Sequence, residues 1–251
     1  MKGYAYIDFE TSKTGEFYLV GVSIEGEFEQ IVLTADLRGL AEQHSLRLME
    51  PESFALHFLN LCEARGLCVA AYSNAEKETL EQLAPGFGLK YLNLRKGAKK
   101  WIRRFRRREF ENLPQLAERS RITSGQRRQL RNSLYSVSRL LGAAGPERLP
   151  RPPFSTYGHR RTSGRFKAVM DALHRRGQDY SRLTPVQKAK GTKALGHNHF
   201  DVQVLPRLHA AIEKCDPKIV SASISVPDAE ESLLAGQLER SPRPPGLSIG
   251  A

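Results

Sequence analysis

The sequence predicts an α/β fold: a mixed β-sheet in which a three-strand antiparallel meander is followed by parallel strands, flanked by helices and carrying a basic helical insertion. Three observations predict it. Tyr4 to Thr11, Glu16 to Ile24 and Glu27 to Leu33 are short runs rich in β-branched and aromatic residues, the last two joined by a tight turn at Glu25-Gly26. Helical and apolar-strand patterns alternate after them, the sequence sign of parallel pairing. With 251 residues and 40% hydrophobic content, the chain is long enough to bury a core.

The first strand alternates apolar residues with acids. A side-chain period of two sets Asp8 and Glu10 on one face and Ala5, Ile7 and Phe9 on the other. Two like charges side by side are costly to bury, so such a pair shares a proton, meets a cation or lies at a wet edge. Over residues 52–65, Phe54, Phe58, Leu61 and Cys62 recur at helical spacing and Gly66 closes the helix. Leu67 to Tyr72 is a continuous apolar run, expected as a central strand covered on both faces. A helix starts within Ser73 to Leu80, and Tyr91 to Leu94 offers another short strand.

From Arg95 to Arg131 the composition shifts to 14 Lys or Arg residues against three acids, Glu109, Glu111 and Glu118, with Trp101, Ile102, Phe105 and Phe110 interleaved. A charge run is often a solvated face, but this density with aromatics fits phosphate contacts plus a stacking or packing anchor. Lys99, Lys100, Arg103, Arg104, Arg106 and Arg107 are the candidate nucleic-acid contacts. Leu134, Val137 and Leu141 then resume a helical stripe that Gly142 ends. Residues 143–164, rich in Pro, Gly, Ser and Arg, read as a loop, and Phe166, Val169, Met170 and Leu173 mark a short amphipathic core helix. Thr184-Pro185-Val186-Gln187 is a capping-box start with proline at the first helical position. Helical pattern runs on towards Ile212, with Gly191, Gly196 and Pro206 as candidate kinks or breaks. Ile219 to Val226 reads as strand or loop, Glu230 to Leu238 as a short helix and Ser241 to Ala251 as a disordered tail.

A formal charge of +12 points to a polyanionic partner, nucleic acid before membrane. No apolar run approaches the roughly 20 residues that span a bilayer, and the chain opens on a strand instead of a signal peptide. Cys62, Cys68 and Cys215 are too few and too irregularly spaced for a zinc site or a disulfide framework, and read as buried thiols in a reducing compartment. The expected location is cytoplasmic.

Two further acids stand on apolar stripes. Glu76 shares its helix face with Leu80 and Leu83, while Glu78 points away; Ser73-x-x-Glu76 also spells a capping box, in which the acid merely ties off an amide. Asp201 is in register with Leu205, Leu208 and Ile212, so it needs a partner: an ordinary hydrogen bond, or a metal shared with Asp8 and Glu10.

Asp8-x-Glu10 on the first strand, Glu76 after the fourth and Asp201 on a late helix form an ordered set. In that order, and in the strings AYSNAEKETL, SLYSVSRLLG and HNHFDVQVL, the chain resembles the DEDD superfamily of 3′-to-5′ exonucleases, within it the branch of predicted ribonuclease-H-like exonucleases. The resemblance covers about Met1 to Lys214, with the basic stretch and 143–184 poorly matched. It implies a ribonuclease-H-like nuclease domain over 1–214, holding a basic helical segment at 95–131 and a loop-rich insertion at 143–184, with 215–251 as a C-terminal extension. It implies that Asp8, Glu10, Glu76 and Asp201 ligate two divalent cations, Mg2+ or Mn2+, that activate water and stabilise the leaving oxygen of a phosphodiester. Glutamate at the second station departs from the usual aspartate but is typical of this branch.

Families of this type place a tyrosine four residues before the last aspartate or a histidine five before it as general base. Here Gly196 holds the fifth position and His197 the fourth. On a continuous helix His197 stands beside Asp201 and His199 points elsewhere, which makes His197 the candidate base unless Gly196 breaks the helix or the histidine is structural. The expected substrate is DNA or RNA with a single-stranded 3′ end. A structure-selective endonuclease of the same fold and a catalytically silent nucleic-acid-binding module are the alternatives. The strings His197-Asn198-His199 and Gly246-Leu247-Ser248-Ile249-Gly250 lack the ββα unit and the strand-turn-helix that would give them nuclease or hydrolase meaning.

Overall fold

The computed structural model describes residues 3–12, 14–108 and 162–226, together with Leu134, Val137 and Leu140. Its strands are β1 (Tyr4–Thr11), β2 (Phe17–Ile24), β3 (Glu27–Val32), β4 (Arg47–Leu48), β5 (Cys68–Ala71), β6 (Tyr91–Asn93) and β7 (Ile224–Ser225). Its helices are α1 (Arg38–Gln43), α2 (Pro51–Ala64), α3 (Ala75–Leu83), α4 (Leu94–Phe105), α5 (Thr162–His174), α6 (Pro185–Cys215) and α7 (Pro217–Ser221). The strands form one mixed sheet in the order β4-β3-β2-β1-β5-β6-β7. β1, β2 and β3 are an antiparallel meander, whereas β5 runs parallel to β1 and β6 parallel to β5. This is the α/β mixed sheet that the strand pattern predicts.

Local chemistry explains where the elements begin and end. Glu25 and Gly26 both take positive φ, 54° and 90°, the conformation a two-residue hairpin turn requires to match strand twist. Gly66, at φ 62°, closes α2 in a Schellman arrangement: the Leu67 amide donates to Cys62 O at 2.8 Å and the Gly66 amide to Glu63 O at 3.0 Å. α6 starts with the predicted capping box, Gln187 N donating to Thr184 Oγ1 and Thr184 N to Gln187 Oε1.

The sheet is covered on both sides. Ala5, Ile7, Val20, Val69 and Ala71 pack with Phe54 and Phe58 of α2 and Leu80 and Leu83 of α3. On the other side Ala70 and Leu92 pack with Trp101 of α4 and with Phe200, Val204 and Leu208 of α6; Leu134, Val137 and Leu140 join this cluster. Beside it Phe166 and Val169 of α5 meet Leu37, Leu40 and Ala194. β5 is buried at every residue, as a central strand must be.

The structure departs from the sequence reading in five respects. α6 is one helix of 31 residues that neither glycine nor Pro206 divides. Gly191 serves packing instead, since a Cβ there would lie 3.0 Å from Leu40 Cδ1. Thr162 to Gly164, read as loop, already belong to α5. The stretch from Ile219 resolves into the end of α7 and then β7, and β4, α1 and the 3-10 turns at Ala35–Leu37 and Tyr180–Arg182 carried too few residues to show a period. Cys62 and Cys68 are buried, but Cys215 is exposed because it ends α6 at the surface. The expectations for residues 109–131, for most of 133–161 and for everything beyond Val226 fall outside the described residues. Among the described residues no helix is long and apolar enough to cross a membrane.

α6 lies so close to the sheet that β2 has room only for glycine beneath it: a Cβ on Gly21 would meet Asn198 Oδ1 at 2.3 Å and Val202 Cγ2 at 2.8 Å. Gly21→Ala should therefore destabilise the protein by about 1–3 kcal/mol, the usual cost of overpacking, in urea unfolding. An unchanged midpoint would mean that α6 sits further from β2 than described.

Candidate functional site

The alternating side chains Tyr6, Asp8 and Glu10 of β1 face α6, at the end of the sheet where the parallel strands β1 and β5 terminate. In open α/β sheets that is where ligands collect. Asn198, completely buried on α6, donates from Nδ2 to both the main-chain oxygen and Oδ2 of Asp8, each at 3.0 Å. Its Oδ1 accepts from Gln30 Nε2 of β3 at 3.0 Å, and the same nitrogen donates to Leu195 O at 2.9 Å. One amide thus ties helix, first strand and third strand together. Asp201 comes three residues later, with His197 Nε2 3.4 Å from its Oδ2, so the i, i+4 expectation for His197 holds on the unbroken helix. His199 points away and stacks on Phe28, ring centroids 4.2 Å apart.

Glu76 arrives from the turn between β5 and α3. Ser73 Oγ donates to Glu76 Oε2 at 2.9 Å and accepts from the Ala75 amide at 3.1 Å. The amides of Ser73 and of Glu76 itself also donate to the carboxylate, so the capping role is present. The turn is held from β6, where the Tyr91 hydroxyl donates to Ser73 O and Asn93 Nδ2 to Asn74 Oδ1. Glu76, Leu80 and Leu83 are the buried face of α3, as their spacing predicts.

The charges of Glu76 and Asp201 reach the two acids of β1. Burial pushes Asp8 well above the ordinary carboxylate range, and the charges of Glu10, Asp201 and Glu76 push further, against the hydrogen bond from Asn198. Glu10 is raised by burial and by Asp201 and Glu76, while the guanidinium of Arg165 pulls it down. Burial lifts Asp201 to about 7 and also raises Glu76, whose amide and hydroxyl donors resist the shift. His197 moves the other way, to about 4, through burial and the positive charge of Arg165.

This donor set suits a hard divalent cation, whose charge would relieve the repulsion that now raises the acids. Among the described residues, however, no group of three or more His, Cys, Asp or Glu side chains is arranged to hold a metal ion. Asp8, Glu76 and Asp201 are turned instead to Asn198, Ser73 and His197.

His197 and Asp201 are thus adjacent on α6, and the charges of Asp201 and Glu76 fall on Asp8 and Glu10. Lys99, Lys100, Arg103 and Arg104 lie exposed on α4, with Arg107 exposed and Arg106 half-buried just beyond it. Arg104 pairs with Asp216 at 2.6 Å and holds α4 to the start of α7. Trp101 is buried, so it anchors the helix and offers no stacking surface. Sequence reasoning missed Asn198, Gln30 and Arg165. No family model, no curated protein and no solved structure matches this chain.

The raised Asp201 gives a pH signature. Its folded-state proton is held up to about pH 7, against about 3.9 in an unfolded chain, so the stabilisation it brings is complete below about pH 4 and is lost as pH rises towards 7. His197, lowered in the fold, contributes a slope of the opposite sign between about pH 4 and 6.5. Comparison with Asp201→Asn isolates the aspartate. In chelator, the melting temperature of Asp201→Asn relative to wild type should rise between about pH 4.5 and 7.5; a difference that stays flat would place Asp201 in a solvated setting.

Proposed function

We propose that the chain is a metal-dependent nuclease of the ribonuclease-H-like fold, most simply a 3′-to-5′ exonuclease on DNA or RNA with an unpaired 3′ end. The observation that carries this reading is convergence: Glu76 of α3 and Asp201 of α6, far away in sequence, lie near enough to Asp8 and Glu10 of β1 for their charges to raise both. The finer fold assignment is supported by the order β3-β2-β1-β5-β6, a meander beside a parallel pair. It rests also on the motif resemblance.

Two Mg2+ or Mn2+ ions held by these carboxylates would supply Lewis acidity and charge stabilisation for hydrolysis of a phosphodiester. The protein's own groups do the positioning. Asn198 fixes the Asp8 carboxylate, and Ser73 with two amides fixes Glu76. His197, neutral at pH 7, presents an imidazole beside Asp201 that can take a proton from water. Lys99, Lys100 and Arg103 give α4 a positive face able to neutralise backbone phosphates whatever the sequence.

One observation favours a second reading, a nucleic-acid-binding module with a silent site: the carboxylates are turned to protein partners instead of to a common point. An oligonucleotide labelled at either end and incubated with Mn2+ separates the two. Stepwise loss from the 3′ end is expected, abolished by chelator and reduced at least about a hundredfold in Asp8→Asn, the scale of losing several kcal/mol of charge stabilisation. Retention without cleavage would establish the silent module, and internal cuts an endonuclease.

A further inference from the structure

α4 is charged in a way that does not serve the helix itself. Between Arg95 and Arg104 every residue that is not buried is Lys or Arg, six in all, and the helix carries no acid. Arg95 and Lys96 sit in the first turn, where the helix dipole opposes positive charge. Arg95, Lys99 and Arg103 form one row at i, i+4 spacing and Lys96, Lys100 and Arg104 a second, so like charges meet at each step along both rows, an arrangement that destabilises a helix. α3, on the other side of the sheet, is built in the ordinary way, with Lys77 paired to Glu81 at 3.2 Å. Burial of Leu94, Ala98, Trp101 and Ile102 holds α4 in place against the repulsion. A polyanion laid along the exposed face would relieve it.

Contacts at the two ends of α4 fix where the rows lie. The Arg95 amide donates to Tyr72 O at 2.9 Å, and Asn93, which caps α4, bonds through Nδ2 to Asn74 Oδ1. The first turn of α4 is thereby joined to residues 72–74, among them Ser73, whose hydroxyl donates to Glu76 Oε2 at 2.9 Å. At the far end Arg104 Nη1 meets Asp216 Oδ2 at 2.6 Å. Asp216 caps the C-terminus of α6, about 22 Å along the helix from Asp201 at its rise per residue. The rows therefore begin beside the turn that carries Glu76 and run away from the acids. One row is unspent: among the described residues the side chains of Arg95, Lys99 and Arg103 make no hydrogen bond or ion pair, and Arg95 Nε is buried without a partner. The other row ends on Arg104, which is committed to Asp216.

We propose that the row Arg95, Lys99 and Arg103 seats the phosphates of a single nucleic-acid strand in single file, with Arg95 holding the phosphate nearest the acids. The direction given to the strand rests on the nuclease reading of the site. Successive members of the row are about 6 Å apart along the helix, close to the separation of neighbouring phosphates in an extended single strand. Charges that touch only phosphate hold the strand and read no sequence.

The test follows binding of a fluorescein-labelled single strand by anisotropy in chelator over a range of salt, so that neither metal nor cleavage enters. Arg95→Gln, Lys99→Gln and Arg103→Gln should each flatten the slope of log affinity against log salt by about 0.7, and the triple variant by about 2. Lys90→Gln, exposed at the opposite end of β6, should leave the slope unchanged. Glutamine keeps helix propensity, and circular dichroism checks that each variant is folded. A folded triple variant with the wild-type slope overturns the proposal, and a blunt duplex that binds as tightly with the same dependence on the row overturns the single-file seat. With Mn2+ added, shortening the strand from its 5′ end should abolish the effect of Arg103→Gln on kcat/KM before that of Arg95→Gln; the reverse order overturns the place given to Arg95. Wild-type protein that binds through the row in chelator but cuts nothing with Mn2+ would overturn the nuclease reading and with it the direction of the strand, an outcome distinct from an unchanged slope, which removes the row itself.

Discussion

A buried side-chain amide joins the covering helix of this fold to its sheet. Asn198 spends both N–H bonds on Asp8 and its oxygen on Gln30, with no exposure to water. For that to happen α6 must lie against β2 closely enough that only glycine fits at position 21. The helix must also stay unbroken for 31 residues, so that the turn carrying Asn198 and Asp201 is positioned by apolar packing along the rest of its length. An unpaired buried amide costs free energy, and so does a buried carboxylate without a donor; the bond between them removes both penalties at once.

The cost that remains is electrostatic. Three acids on two elements, with Glu76 near by, are held where water is scarce, and their proton affinities rise accordingly. Proteins keep such arrangements where the charge is used, because an apolar core of the same shape would be more stable. Arg165 reduces the repulsion on one side only, at Glu10. The surrounding fold bears the strain: the sheet is packed on both faces, and each helix that delivers a charge is anchored by apolar neighbours on the same stripe.

Much of this was legible in the sequence, and the residues show why. Period two put Asp8 and Glu10 opposite Ala5, Ile7 and Phe9, and a period near 3.6 put Glu76 with Leu80 and Asp201 with Leu205, because a regular element repeats its side chains on fixed faces. Turn chemistry was equally readable at Glu25-Gly26 and at Gly66, where backbone conformation restricts the residue type. What could not be read were the partners. Asn198 and Gln30 are ordinary polar residues until the fold brings positions 168 apart in the chain to hydrogen-bonding distance. Pro206 and the two glycines suggested a broken helix, but tertiary packing on both sides of α6 overrides local propensity. Arg165 was hidden among many exposed arginines, and only the burial of its neighbours distinguishes it.

The central claim is that the acids of the site, Glu76 buried and the other three half-buried, hold protons which a divalent cation displaces. Calorimetric titration of the purified protein with Mn2+ near pH 7, repeated in buffers of different ionisation enthalpy, counts those protons directly. The account predicts binding accompanied by net proton release, with the release reduced in Asp201→Asn. Binding without proton release, or release that Asp201→Asn leaves unchanged, would contradict it.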